Sequence, residues 1–158
     1  MNYPLIKIRL EGKRFNELDK GVRSGLLNLI ITPNCMLNDD ELQINTLTTV
    51  PFLLLYSVNH PQARMSIPRI KDFHNSIFFL PNEFKHSEEL LRSIIERHGF
   101  EPKFQLLDFE SAFASVLNGF GVCLTDIWMR DRLYPSFRNI PLDANSTIIV
   151  AWSKSNTN

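Results

Sequence analysis

Apolar and polar positions along the chain fall into blocks of two periods. The clearest block is Leu107 to Asp126, LDFESAFASVLNGFGVCLTD. Phe109, Ala112, Phe113, Val116, Leu117 and Phe120 recur at steps of three and four, which predicts an amphipathic helix. Gly119 and Gly121 flank its end, where glycine releases the chain into a new direction. Val122, Cys123 and Leu124 then form an apolar run too short for a core helix, which predicts a strand buried on both faces. Phe104 to Leu107 reads as a strand entering the same helix. The expected unit is therefore a strand-helix-strand crossover, of the right-handed kind.

The rest of the chain supplies further elements. Leu5 to Leu10 alternates apolar side chains with Lys7 and Arg9, predicting a strand with one wet face. Phe15, Leu18 and Val22 mark a short helix ended by Gly25, and Leu26 to Ile31 reads as an interior parallel strand. Ile44 to Val58, interrupted by Pro51, predicts two strands or one long bent strand that stops at Asn59-His60-Pro61. Ser66 to Asn75 is a short helix or turn, Ser76 to Leu80 a buried strand and Pro81-Asn82-Glu83 a loop. Ser87 is placed as an N-cap, with Glu88 and Glu89 in the first turn and an apolar stripe of Leu90, Leu91, Ile94 and Ile95. Trp128 to Tyr134 reads as a short helix, Ile140 to Leu142 as an extended piece and Thr147 to Trp152 as the last strand. Phe78, Phe79, Phe104, Phe113 and Phe120 fall on interior faces. Alternating strands and helices predict an α/β fold with parallel sheets covered by helices.

Composition narrows the function classes. A hydrophobic fraction of 44% over 158 residues builds a real core, and seventeen basic residues cancel seventeen acidic ones. No global field then favours nucleic acid or an anionic membrane. No signal peptide or membrane-length apolar run is read, so a cytoplasmic chain without membrane contact is expected. Cys35 and Cys123 are expected to be unpaired thiols. His60, His74, His86 and His98 lack metal-ligand spacing, and no nucleophile elbow, P-loop or zincin motif is present. Asp108 reads as a helix cap rather than as half of a carboxylate pair with Glu110. No metal or cofactor is expected, and binding is favoured over catalysis.

In open α/β sheets ligands sit beyond the carboxyl ends of strands. Those ends supply the candidate ligand residues Gly12, Lys13, Arg14, Thr32, Ser57, Asn82, His86, Ser87, Phe109 and Thr125. His86 and Ser87 at a helix start, with Lys13 or Arg14 across a cleft, would favour a small carboxylate, and Phe109 would form an apolar wall.

Helix, then N-G-F-G, then a short apolar strand resembles the V-x-x-G-x-G-I segment in the effector-binding domains of LysR-type bacterial transcription regulators. The resemblance continues in the family's order. Tyr3 to Gly12 is similar to its second strand, Gly25 to Ile31 to its glycine-aspartate-strand segment with Asn28 in the aspartate's place. Phe52 to Pro61 is similar to the long strand ending in H-P, Ile67 to Phe73 to the I-x-x-x-D-L segment, and His98 to Pro102 to the H-G-x-x-P turn. The positions matching the family's ligand loops are Lys13, His86, Ser87 and Phe109, while Asp126 stands where the family commonly has proline.

The resemblance implies two Rossmann-like lobes joined by two crossing strands, like a type 2 periplasmic-binding protein. Lobe I would be residues 1–56 and 127–158 and lobe II residues 57–126. It also implies that the winged helix-turn-helix and the first strand and helix of the effector domain do not precede Met1, leaving lobe I incomplete. The implied function is sensing of a small-molecule effector, with a homodimer or higher homo-oligomer as the assembly. DNA would be reached only through a DNA-binding domain outside this chain. A stand-alone or solute-binding module, or a truncated fragment without function, is the alternative.

Overall fold

The computed structural model describes residues 7–34, 37, 41–126 and 135–155. Two long strands run its length, β2 (Leu42–Ser57) and β6 (Phe137–Ser153). They pair antiparallel from Leu42↔Ser153 to Ser57↔Phe137, a ribbon of roughly 50 Å at the usual rise per residue. Register shifts fall between Thr46 and Thr48 and between Pro51 and Leu53. The second has a local cause: Pro51 has no amide hydrogen for the ladder, and Pro141 stands opposite Leu53.

The remaining strands add at opposite ends of this ribbon. β1 (Ile30–Pro33) pairs antiparallel with β6. β5 (Gly121–Asp126) pairs antiparallel with β2, and β3 (Ile77–Pro81) joins β5 in parallel, followed by β4 (Lys103–Leu107) parallel to β3. The single six-stranded sheet has the order β1-β6-β2-β5-β3-β4.

Each end carries its own core. At the first end, helix α1 (Phe15–Arg23) packs Val22 against Ile30, Leu42, Ile149 and Ala151. At the second, alternation with period two sorts side chains to two faces. Leu54, Tyr56, Phe78, Leu80, Val122 and Leu124 face helix α2 (Glu88–Glu96), which contributes Leu91, Ile94 and Ile95. Leu55, Phe79 and Cys123 face helix α3 (Phe109–Leu117), which contributes Ala112 and Val116. Phe52 and Leu142 also belong to the second end's core, so residues 52–57 of β2 pack there.

The crossover β4-α3-β5 forms as the sequence predicts, with Gly119 at φ +79° after the Asn118 cap. Elsewhere the structure corrects the reading. Residues 7–10 have no regular structure and are exposed, because no strand among the described residues pairs with them; Leu5 and Ile6 lie outside the described residues. The expected interior parallel strand over Leu26 to Ile31 is an antiparallel edge strand beginning only at Ile30, with Leu26, Leu29 and Ile31 exposed. The Leu27 amide donates to the Gly21 carbonyl at 2.9 Å, folding the chain back over α1 and delaying the strand. The stretch expected over Ile44 to Val58 is part of one long strand, Leu42–Ser57, with Val58 already in the turn, and Ile140 to Leu142 and Thr147 to Trp152 are parts of another. Ser87 does not cap α2 from an extended conformation; it ends a 3-10 turn, Asn82–Ser87, that leads straight into the helix. Leu90 is exposed, and Phe120 is 70% exposed rather than core. The helix expected over Trp128 to Tyr134, and Cys35, lie outside the described residues. No helix among the described residues is long and apolar enough to cross a membrane.

Candidate functional site

Strand direction decides which ends of the sheet meet. β3, β4 and β5 are parallel, so their carboxyl ends, Pro81, Leu107 and Asp126, lie along one edge, with Asp126 opposite Phe52. β1 enters from the other side: it runs from Ile30 opposite Ala151 to Pro33 opposite Ile148, toward the middle of the ribbon. The carboxyl ends of the two groups therefore face each other across the centre of β2 and β6. That centre is open: Asn45 to Thr49 and Asn145 are exposed.

Two helix N-termini converge on the same region. The chain reaches α1 through Gly12, Lys13 and Arg14, all exposed, and Arg14 occupies the N-cap position with an extended backbone. A guanidinium has no acceptor for the helix amides, so the capping is one-sided: the Arg14 amide donates to the Glu17 carboxylate at 3.0 Å. Lys13 Nζ pairs with Glu11 at 2.9 Å, which raises the lysine's pKa and, with the Arg9 charge, lowers that of Glu11. At α3 the cap is of the ordinary kind. Asp108 accepts from the Ser111 amide at 2.9 Å, and the hydrogen bonds from Ser111 hold its carboxyl below the usual range. Arg14 Nη2 then donates to Glu110 Oε1 in the first turn of α3, an ion pair between residues 96 apart in sequence.

The remaining predicted residues divide. Thr32, near the end of β1, and Thr125, near the end of β5, are buried and belong to the two facing edges. Asn82 opens the 3-10 turn that follows β3, so the first unpaired amides of that helical segment lie at Asn82; His86 and Ser87 lie at its far end, where it runs on into the start of α2. Phe109 is half-buried and stacks on Phe113 with ring centroids 4.6 Å apart. Ser57 lies apart from the other predicted residues. β2 is antiparallel to β5, so its carboxyl end lies beside the start of β5, at the far side of the sheet. There Ser57, fully buried, donates to the Leu117 carbonyl at 2.7 Å and accepts from the Asn59 amide at 3.0 Å.

The polar run Asn45-Thr46, Thr48 and Thr49 in the middle of β2 is exposed between the two ends, and its sequence signal is a polar block inside an otherwise apolar strand. A separate cavity of about 380 Å³ lies at the outer tip of the first end, lined by Arg23, Glu41, Leu42, Ser153, Lys154 and Ser155. Among the described residues no group of three His, Cys, Asp or Glu is arranged to hold a metal.

The family model for the LysR substrate binding domain matches residues 1–158. No curated protein matches the sequence. Among solved structures, CbnR, a LysR family transcriptional regulator, superposes with a TM-score of 0.70 at 11% identity, over 92% of this chain and 53% of its own. A putative LysR family transcriptional regulator from Pseudomonas aeruginosa gives 0.69 at 21% identity, over 96% and 56%. The BenM effector binding domain with its effector benzoate gives 0.64 at 18% identity, over 90% and 68%. The chain thus spans about half the length of the full-length regulators it resembles.

Proposed function

The chain belongs to the LysR substrate-binding domain family, and from that premise we propose that it senses a small-molecule effector between the two ends of its sheet. It would do so as the effector-binding part of a LysR-type transcription regulator. The observation that supports this best is the convergence of four strand ends and two helix N-termini on the open centre of the β2–β6 ribbon.

The ligand class we favour is a small carboxylate. Lys13, Arg14 and the N-terminus of α1 supply positive charge from one side. Asn82, Phe109 and Thr125 border the other side, Thr32 stands near the end of β1, and Thr46, Thr48, Thr49 and Asn145 make the centre of the ribbon polar, successive side chains alternating between its two faces. We divide the lobes within the ribbon, near residues 46–51 and 143–148, because Phe52 to Tyr56 and Leu142 pack with the second core. The chain acts as a sensor rather than an enzyme, in a cytoplasmic regulator that pairs with further copies of itself and reaches DNA through another domain. Effector binding would shift the balance between lobe arrangements, and that shift is what the rest of the regulator reads.

The test is a thermal-shift screen of the purified chain against small carboxylates, amino acids and phosphates, since a ligand of the folded state raises the melting temperature by mass action. A concentration-dependent rise confined to carboxylates is expected. A response to none of these classes would sink the proposal for this chain.

A further inference from the structure

We propose that Arg14 and Glu110 form an electrostatic latch that holds the two ends of the sheet together and opens when either charge is engaged elsewhere. Arg14 stands at the positive end of the α1 dipole beside Lys13, where a cation is disfavoured and where Ser, Thr, Asp or Asn ordinarily serves as cap. The local carboxylates are already engaged: Glu17 accepts from the Arg14 amide, and Glu11 pairs with Lys13 and Arg9. Glu110 answers the guanidinium, and it comes from the other end of the molecule. Glu110 itself is at ease with or without its partner, because the first turn of α3 favours an acid. The mismatch therefore sits on Arg14, and closing the two ends relieves it.

The ribbon between the ends is built to bend. Its ladder is interrupted between Thr46 and Thr48 and again between Pro51 and Leu53, on either side of its exposed centre. Both latch side chains are largely exposed, at 74% and 60%, so the pair is weak and screened by salt. A weak tie across a bulged ribbon gives a cleft poised between two arrangements. Resting on the effector-sensing reading, the consequence is a rule of charge: an acidic effector at Arg14 displaces Glu110 and opens the cleft, while a neutral one leaves the latch closed.

The latch itself is tested without any ligand. Nitroxide labels at Asn16→Cys on α1 and Ala114→Cys on α3, both exposed, in a Cys35→Ser background, report the separation of the two ends by pulsed electron resonance. Cys123 is fully enclosed and stays unlabelled. Raising the salt, Glu110→Gln and Arg14→Gln should each increase the longer-distance population, by up to about fivefold for an exposed pair. The exchanged pair, Arg14→Glu with Glu110→Arg, should restore the short distance, which a general loosening of either helix would not do. One distance distribution common to all variants and salt levels overturns the latch. A latch that behaves as expected in a chain that answers no compound class would instead count against effector sensing.

Discussion

Gly121 and Ile77 are ladder partners in parallel strands, and a Cβ at position 121 would lie 2.3 Å from the Ile77 carbonyl oxygen and 2.7 Å from the Phe79 ring. Both contacts are far inside van der Waals range, and the oxygen belongs to backbone that cannot swing away. The N-G-F-G segment thus needs its second glycine for strand approach rather than for turn conformation; the first, Gly119, supplies the positive φ. Gly121→Ala should destabilise by about 1–3 kcal/mol, as overpacking in a closed core does, lowering the melting temperature by about 2–10 °C. Gly12→Ala, with nothing within 4 Å, is the control and should leave it unchanged.

Ser57 separates structural from ligand-facing hydroxyls. Its buried Oγ joins the end of β2 to the end of α3 through Leu117 and holds the Asn59 amide, so removing it loses two part-buried hydrogen bonds at once. Ser57→Ala should cost about 1–3 kcal/mol of stability. Because it lies on the far side of the sheet, it should leave the dissociation constant of any ligand found by thermal shift unaltered, as measured by calorimetric titration. A weakened constant with unchanged stability would return Ser57 to the site.

Ser57 also shows where the sequence stops informing. That residue ends a strand, and the strand is plain from its β-branched and apolar run; its direction relative to β5 depends on partners far along the chain, Tyr56 pairing with Val122. The β4-α3-β5 crossover was legible because each part announces itself locally: a stripe at steps of three and four, a glycine pair, a short apolar run. Leu5 to Leu10 announces a strand equally well, yet residues 7–10 form none, because a ladder needs a neighbour and alternation does not say whether one is there. Leu26 to Ile31 misled for a different reason: the turn that ties Leu27 to Gly21 uses up the first half of the apolar run. The site followed the same division. Lys13, Arg14 and Phe109 are expected to follow the carboxyl ends of strands, which holds for Phe109 after β4 but not for Lys13 and Arg14, since residues 7–10 form no strand; the Arg14–Glu110 pair spans the whole fold and leaves no local trace.

His60 makes stability depend on pH. It is 4% exposed, packed against Tyr56 and Phe73, with Nδ1 facing the Gln62 amide at 3.4 Å and Nε2 facing Ser76 Oγ at 3.4 Å. Burial lowers its pKa below the ordinary histidine value. The unfolded chain therefore takes up a proton near pH 6.5 while the folded one stays neutral, so above that pH the residue contributes no slope. Below it, stability falls with pH until the folded state protonates as well. Urea midpoints between pH 7 and pH 5 should drop more steeply for the wild type than for His60→Gln. Parallel profiles would assign the acid sensitivity to other groups.

Arg92 is the last case, because its neighbours ask for its shape as well as its charge. Its guanidinium donates to Glu88 at 3.0 Å, to Glu101 at 3.3 Å and to the Pro102 carbonyl at 3.2 Å, and lies 5.2 Å from the Phe104 ring centroid. These contacts tie α2 to the segment that leads into β4, the edge strand of the second core. A lysine carries the charge but not the planar fork, so it cannot serve three acceptors and the ring at once. Glu101 is 80% exposed, which makes its share small; the carbonyl and the ring contact carry more weight. Arg92→Lys should therefore recover less than half of the roughly 1–2 kcal/mol lost in Arg92→Ala, read from denaturant midpoints at constant slope. Full recovery by lysine would reduce the residue's role to charge alone.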